Sequence, residues 1–201
     1  MNHEGIVKIV DSGTSGHVVK PSGRHIPNLV YIVLEYVSGG LLFDVCQTLG
    51  AMGEDAGRFF LKQMISVLEH ITDAGVSHRD LKLENILVDS DLNLKVADFG
   101  FATQKNITRL RSYRGTMTYM APEIKLGKVY DGKQIDIFST GVILYIIVHG
   151  IFPFREAKPE EFYFKLLTDG KFDLYWKKVG GTHLSKEFRS LMQSIFNIDG
   201  S

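Results

Sequence analysis

Apolar residues follow three rhythms along the chain. Near the start they come in runs: Ile6 to Val10, then Leu29 to Val37, where Leu29, Val30, Tyr31, Ile32, Val33 and Leu34 are unbroken. A run without alternation predicts a strand covered on both faces. Glycine and proline cluster at Asp11–Gly16 and Pro21–Pro27, and Ser38-Gly39-Gly40 interrupts the chain after the second run. Beyond Gly53 the period lengthens. Phe60, Met64, Val67, Leu68 and Ile71 recur at helical spacing, with Glu54 and Asp55 in the first turn and Gly75 past the end. Ile86-Leu87-Val88, a polar turn at Asp89-Ser90-Asp91, and alternating Leu92, Leu94 and Val96 predict a hairpin. Asp136 to His149 is apolar nearly all round, the pattern of a buried helix. Pro159-Glu160-Glu161 predicts the opening of another helix that Gly170 closes, and Ser185 a cap on a last one with Phe188, Leu191, Met192 and Ile195 on one face. Short strands come first and helices follow, so the predicted class is α+β with a helical bulk.

Composition narrows the functional classes. The 201 residues are 44% hydrophobic and 23% charged, the balance of an ordinary globular domain. The 23 basic and 23 acidic side chains cancel, which argues against bulk nucleic-acid binding. Cys46 is the single cysteine and cannot form an internal disulfide. No basic region followed by an apolar run opens the chain, and Gly141–Val148 is too short to span a bilayer, so neither a signal peptide nor a membrane partner is expected. The expected setting is the cytoplasm, with the nucleus also open.

The chemistry-bearing residues lie in three ordered segments: His78-Arg79-Asp80-Leu81-Lys82-Leu83-Glu84-Asn85, then Asp98-Phe99-Gly100, then Ala121-Pro122-Glu123. Taken singly, His78 reads as a core histidine and Asp98 as a turn residue. Cys46, Phe60, Met64 and Trp176 read as packing or surface positions. Taken in order, the set resembles the eukaryotic protein kinase signature. The resemblance implies a kinase-like fold, ATP and Mg²⁺ as cofactors, and serine or threonine in protein substrates as acceptor. It is closest in style to the calcium/calmodulin-dependent and AMP-activated group. Asp80 would take the acceptor proton, Lys82 would meet the transferring phosphate, and Asn85 and Asp98 would hold the metal through hard oxygens. Glu35-Tyr36-Val37 resembles the hinge, where the Glu35 carbonyl and Val37 backbone would meet adenine. Leu34 would be the gatekeeper and Leu87 the floor of the adenine pocket. Glu84, Gly115 and Thr116 fall where the family receives substrate, and Asp136 where it holds the catalytic-loop backbone. Lys82 together with Gly115-Thr116 resembles the serine/threonine kinases and not the tyrosine kinases.

The same resemblance divides the chain into a partial small lobe and hinge over 1–37 and a large lobe over 38–201. A Gly-rich phosphate loop, a Val-Ala-x-Lys strand and the helix carrying that lysine's glutamate have no counterpart in the 201 residues. The chain is therefore expected to be a piece of a longer active kinase or, alternatively, a non-catalytic kinase-like scaffold. Asn197–Gly200 resembles the stretch just before a family arginine that pairs with the counterpart of Glu123, so Glu123 is expected to be poorly compensated. Leu41 stands where many relatives carry an acid that touches ribose or a basic substrate residue, and Ile146 replaces a second family acid, so a strong preference for arginine-rich substrates is not expected. The segment from Thr103 to Arg114 carries Lys105, Arg109, Arg111 and Arg114 and no acid. Within it Ser112 stands at the group's activating phosphosite, with Arg79 as the phosphate's receiver and an upstream kinase as implied partner.

Overall fold

The structure, a computed structural model, describes residues 2–196. The expectation at Asn197–Gly200 lies outside the described residues. Two regions make up the chain: a long two-stranded hairpin and a helical body.

The hairpin pairs β1 (Ile9–Val19) antiparallel with β2 (His25–Leu34), from Ile9 opposite Leu34 to Val19 opposite His25. The first strand starts later than predicted and runs through the Asp11–Gly16 stretch. The reason is the ring of Tyr31, which lies across two glycines: a Cβ added at Gly13 or Gly16 would come within 2.7 or 2.5 Å of it. The prediction of a strand covered on both faces fails. Val30 is 77% exposed and Ile32 62%, because this sheet has two strands and the hairpin joins the body only at its open end. The second strand also ends at Leu34, so Glu35–Val37 lies beyond it.

In the body, α1 (Leu42–Leu49) and α2 (Gly53–Asp73) precede a small hairpin of β3 (Ile86–Val88) and β4 (Leu94–Val96). Then come α3 (Pro122–Lys125), α4 (Gly132–His149), α5 (Phe162–Thr168), α6 (Phe172–Lys178) and α7 (Lys186–Phe196). Helix α4 is the axis of the core, buried along nearly its whole length between α2 and α7. Glycine 57 lets α2 approach it, since a Cβ there would fall 2.4 Å from Val148 Cγ2. Tyr145 of α4 stacks on Trp176 of α6 at 6.0 Å between ring centres. Cys46, Phe60, Met64 and Trp176 are all core residues.

Two predicted helix starts shift. Helix α4 begins at Gly132 behind Asp131, whose carboxylate accepts from the Lys133 amide, so Asp136 lies inside the helix and does not open it. Helix α5 begins only at Phe162, with Glu161 as its cap accepting from the Phe164 amide at 2.7 Å; Pro159 and Glu160 belong to the turn before it. Ser185 does cap α7, its hydroxyl accepting from the Phe188 amide while donating to Glu54. The buried face there is Phe188, Met192 and Phe196, and Leu191 is exposed. The short helices α1 and α6 have too few turns to leave a periodic signal and were not predicted. No helix of the described residues is long and apolar enough to cross a membrane.

Candidate active site

The loop from Ser77 to Asn85 is hung from α4. The buried carboxylate of Asp136 accepts from the Ser77 hydroxyl at 2.9 Å and from the backbone amides of His78 and Arg79, each at 2.8 Å. Burial pushes this carboxyl above the ordinary range, and the two amides oppose that shift. The chain turns sharply here, with Arg79 held at φ 67°, a left-handed conformation that non-glycine residues seldom adopt. His78 is fully buried, with Nε2 3.0 Å from the Ala97 carbonyl and its ring edge-on to Phe99. One side chain thus ties the loop to the segment preceding Asp98.

Asp80, Lys82, Asn85 and Thr116 converge on one point. Lys82 Nζ lies 2.9 Å from Asp80 Oδ2 and donates to Thr116 Oγ1 at 3.0 Å, while the Thr116 hydroxyl donates to Asp80 Oδ1 at 2.8 Å. Asn85 Nδ2 donates to the Asp80 carbonyl at 2.9 Å and to Oδ2 at 3.2 Å. Its amide nitrogen is therefore committed, which leaves the amide oxygen as the free acceptor. Gly115 closes the triangle: its φ is 116°, and a Cβ would stand 2.8 Å from the Arg79 carbonyl. No side chain fits between the two loops there.

Asp98 lies one residue beyond β4, after Ala97, and is also left-handed, at φ 58°, with its carboxylate accepting from the Gly100 amide at 3.1 Å. The adjoining Ala97 amide donates to the Asn85 carbonyl at 2.8 Å, so the two candidate metal ligands come from bonded neighbouring segments. Their hard oxygens suit Mg²⁺ but fall short of its octahedral shell, which phosphate and water oxygens would complete. A cleft of about 810 Å³ opens beside Asp98, walled by Ile6, Lys8, Ile32, Leu34, Ala97 and Phe99. Of the residues expected around adenine, Leu34 is on this wall, whereas Glu35, Val37 and Leu87 do not line the cleft; Val37 is buried, and Leu87 forms a bridge with Leu41.

Arg79 reaches the Thr103–Arg114 segment. Its Nη1 donates to Ser112 Oγ at 2.8 Å and its Nε to the Phe101 carbonyl at 2.7 Å. Tyr130 holds Ser112 from the other side, donating its hydroxyl to the Ser112 carbonyl at 2.7 Å. Glu84 is exposed near Tyr119, whose buried hydroxyl has no hydrogen-bond partner. Burial raises the Tyr119 pKa, and the Glu84 charge adds to it. Glu123 is largely buried without an ion pair among the described residues, and desolvation holds its carboxyl above the ordinary 4.5.

Three residues of this arrangement escaped sequence reasoning. Ser77 and Tyr130 gave no signal. Lys95 did, as the charged position between Leu94 and Val96, and its partner Glu35 lies 3.0 Å away.

The family described as "Protein kinase domain" matches residues 1–201. "CBL-interacting protein kinase 24" of Oryza sativa subsp. japonica is 42% identical over 158 residues, 77% of this chain and 35% of that protein. "CBL-interacting serine/threonine-protein kinase 24" of Arabidopsis thaliana is 44% identical over 142 residues, 70% of this chain and 32% of that protein. The chain thus spans about a third of the length of the curated relatives it matches.

Proposed function

The chain belongs to the protein kinase family, and on that premise we propose that it binds ATP with Mg²⁺ and passes the terminal phosphoryl group to serine or threonine in a protein. The observation that carries this reading is the closed Asp80–Lys82–Thr116 triangle with Asn85 against it. Phosphoryl transfer asks a protein for position and charge more than for covalent chemistry. Asp80 Oδ is placed to accept the acceptor hydroxyl's proton, and Lys82, beside it, to neutralise charge on the moving group. Asn85 and Asp98 present oxygens to the cation. When bound, Mg²⁺ would neutralise phosphate charge and fix the phosphates in place.

The other assignments follow the same reading. Residues 1–37 form the adenine side and 38–201 the catalytic and substrate side. Leu34, Glu35, Val37 and Leu87 surround adenine, and Glu84, Gly115 and Thr116 face the acceptor segment. An upstream kinase phosphorylates Ser112, and the product is held by Arg79, which already contacts the unmodified hydroxyl. The protein works in the cytoplasm or nucleus. The second reading is a non-catalytic kinase-like module that docks partners without transferring phosphate.

The test is phosphate transfer from ATP to a Ser/Thr peptide library. It is run with the 201-residue chain and with the same chain joined to a glycine loop and lysine strand from a relative. Transfer in the joined protein should fall by about 10²-fold or more in Asp80→Asn with ATP binding kept, a loss in the chemical step. Asp98→Asn should weaken Mg·ATP binding as well. Transfer that survives Asp80→Asn would refute the assignment, and a joined protein that binds ATP without transfer would favour the non-catalytic module.

A further inference from the structure

Where the hairpin meets the body, one ammonium group bonds to two of the converging segments. Lys95 of β4 projects away from the core, and its Nζ lies 3.0 Å from Glu35 Oε1 and donates to the Glu4 carbonyl at 3.0 Å. Both members of the ion pair are partly buried, the side chains 15% and 25% exposed. The same Glu35 oxygen accepts from the Lys8 amide at 2.9 Å, and the Glu35 amide donates to the Lys8 carbonyl at 2.9 Å. These donors hold the Glu35 carboxyl below its ordinary range, the Lys8 amide first and Lys95 second. Around this knot, Val7 donates to the Val96 carbonyl at 3.0 Å and Val96 to the Gly5 carbonyl at 2.8 Å. Three segments, residues 4–8, the stretch after β2, and β4, are therefore pinned together from behind the cleft.

Two consequences follow from the position of Lys95 in the chain. It stands three residues before Asp98, and only Ala97 separates the end of β4 from Asp98. Glu35 begins the segment whose backbone is assigned to adenine. We propose that Lys95 is a positioning residue for nucleotide: by gripping the Glu35 carboxylate it fixes the direction of the Glu35–Val37 backbone relative to Asp98. The adenine-facing and metal-facing ends of the cleft are thereby set at one spacing. This rests on the reading of the cleft as a nucleotide site. The ion pair itself does not touch ligand; its effect reaches the cleft through the Glu35 backbone.

A residue with this role differs from one that only adds stability. Removing its charge should loosen a short stretch of backbone, and an arginine, which keeps charge and donors, should restore it. Losing a charge-assisted bond at this partly buried site should raise local opening by about tenfold. The experiment is amide hydrogen exchange on the 201-residue chain, with Lys95→Met, Lys95→Arg, Glu35→Gln and the Lys95→Met/Glu35→Gln pair. Melting temperature is recorded for each. Exchange at Glu35–Val37 should speed by about tenfold in Lys95→Met, stay within about threefold in Lys95→Arg, and show little further change in the pair. Amides of α2 and α4 should be unchanged. Calorimetry supplies a second arm. Lys95→Met should weaken ATP binding by about tenfold while Mg·tripolyphosphate, which has no adenine, binds within about twofold of the unmutated chain.

Unchanged exchange at Glu35–Val37 would overturn the proposal, as would acceleration spread evenly over the body. Faster exchange with ATP affinity intact would overturn the positioning role while leaving the kinase reading in place. Failure of the unmutated chain to bind ATP would count against the nucleotide reading, and the exchange arm would still decide whether Lys95 holds the segment.

Discussion

Val30 and Ile32 of β2 are largely exposed, whereas Val142, Ile143 and Ile147 of α4 are fully buried. The side chains are of the same kinds, and both stretches read as continuous apolar runs. What differs is the cover. Helix α4 is enclosed by α2, α7 and the aromatic cluster of Tyr145, Trp176 and Phe188. The hairpin has one neighbour strand and no second layer among the described residues. A run of β-branched residues signals a strand that would be stable if covered; the layer that covers it must be supplied elsewhere. The division also separates the chemistry. Asp80, Lys82, Asn85 and Thr116 belong wholly to the body, while the hairpin contributes the far wall of the cleft through Ile32 and Leu34.

Substitutions should expose the contrast in descending order. Trp176→Ala empties a fully buried aromatic site and should cost about 3–5 kcal/mol in urea unfolding, whereas Val30→Ala should change stability by under about 0.5 kcal/mol. An equal cost at both positions would erase the distinction between the regions. Next, Asp136→Ala leaves the Ser77 hydroxyl and two amides without their acceptor and should cost about 2–4 kcal/mol, with accelerated exchange in the catalytic loop. Gly115→Ala should cost about 1–2 kcal/mol through the left-handed strain and the approach to Arg79, and should separate Thr116 from Asp80.

The smallest effect should have the opposite sign. Desolvation raises the Glu123 pKa in the folded state, so the ionised form opposes folding. Its protonation favours the folded state fully below pH about 4.5, and that favour is lost as pH rises through the elevated folded value. Glu123→Gln should therefore raise the melting temperature by about 1–3 °C at pH 7 and give no gain below pH 4.5. A lower melting temperature at pH 7 would mean that Glu123 has a compensating partner. On the hairpin side, Val30→Lys with Ile32→Thr should reduce aggregation measured by light scattering without lowering the body's unfolding midpoint.

Legibility in the sequence followed this same division. The α2 pattern from Phe60 to Ile71, the small hairpin and α4 could be read because each buries one periodic face or a whole surface within the chain. The site residues could be named because three motifs stand in order, and the contact of the Thr116 hydroxyl with Asp80 and Lys82 is the one those motifs imply. The long hairpin misled because burial depends on neighbours and not on residue type, and because Tyr31 stabilises a strand through glycines that read as a loop. Ser77 and Tyr130 were invisible for a related reason. A hydroxyl becomes informative only when the fold brings a buried carboxylate or a distant carbonyl to it.

The division of labour between body and hairpin can be measured directly by native-state hydrogen exchange across the whole chain. Amides of α4 and of the catalytic loop, His78, Arg79 and Asn85 among them, should exchange only through global unfolding. Amides of β1 and β2 should exchange through local opening at least about 100-fold faster. Hairpin amides as protected as those of α4, or catalytic-loop amides that open together with the hairpin, would contradict the assignment of the active site to the packed body.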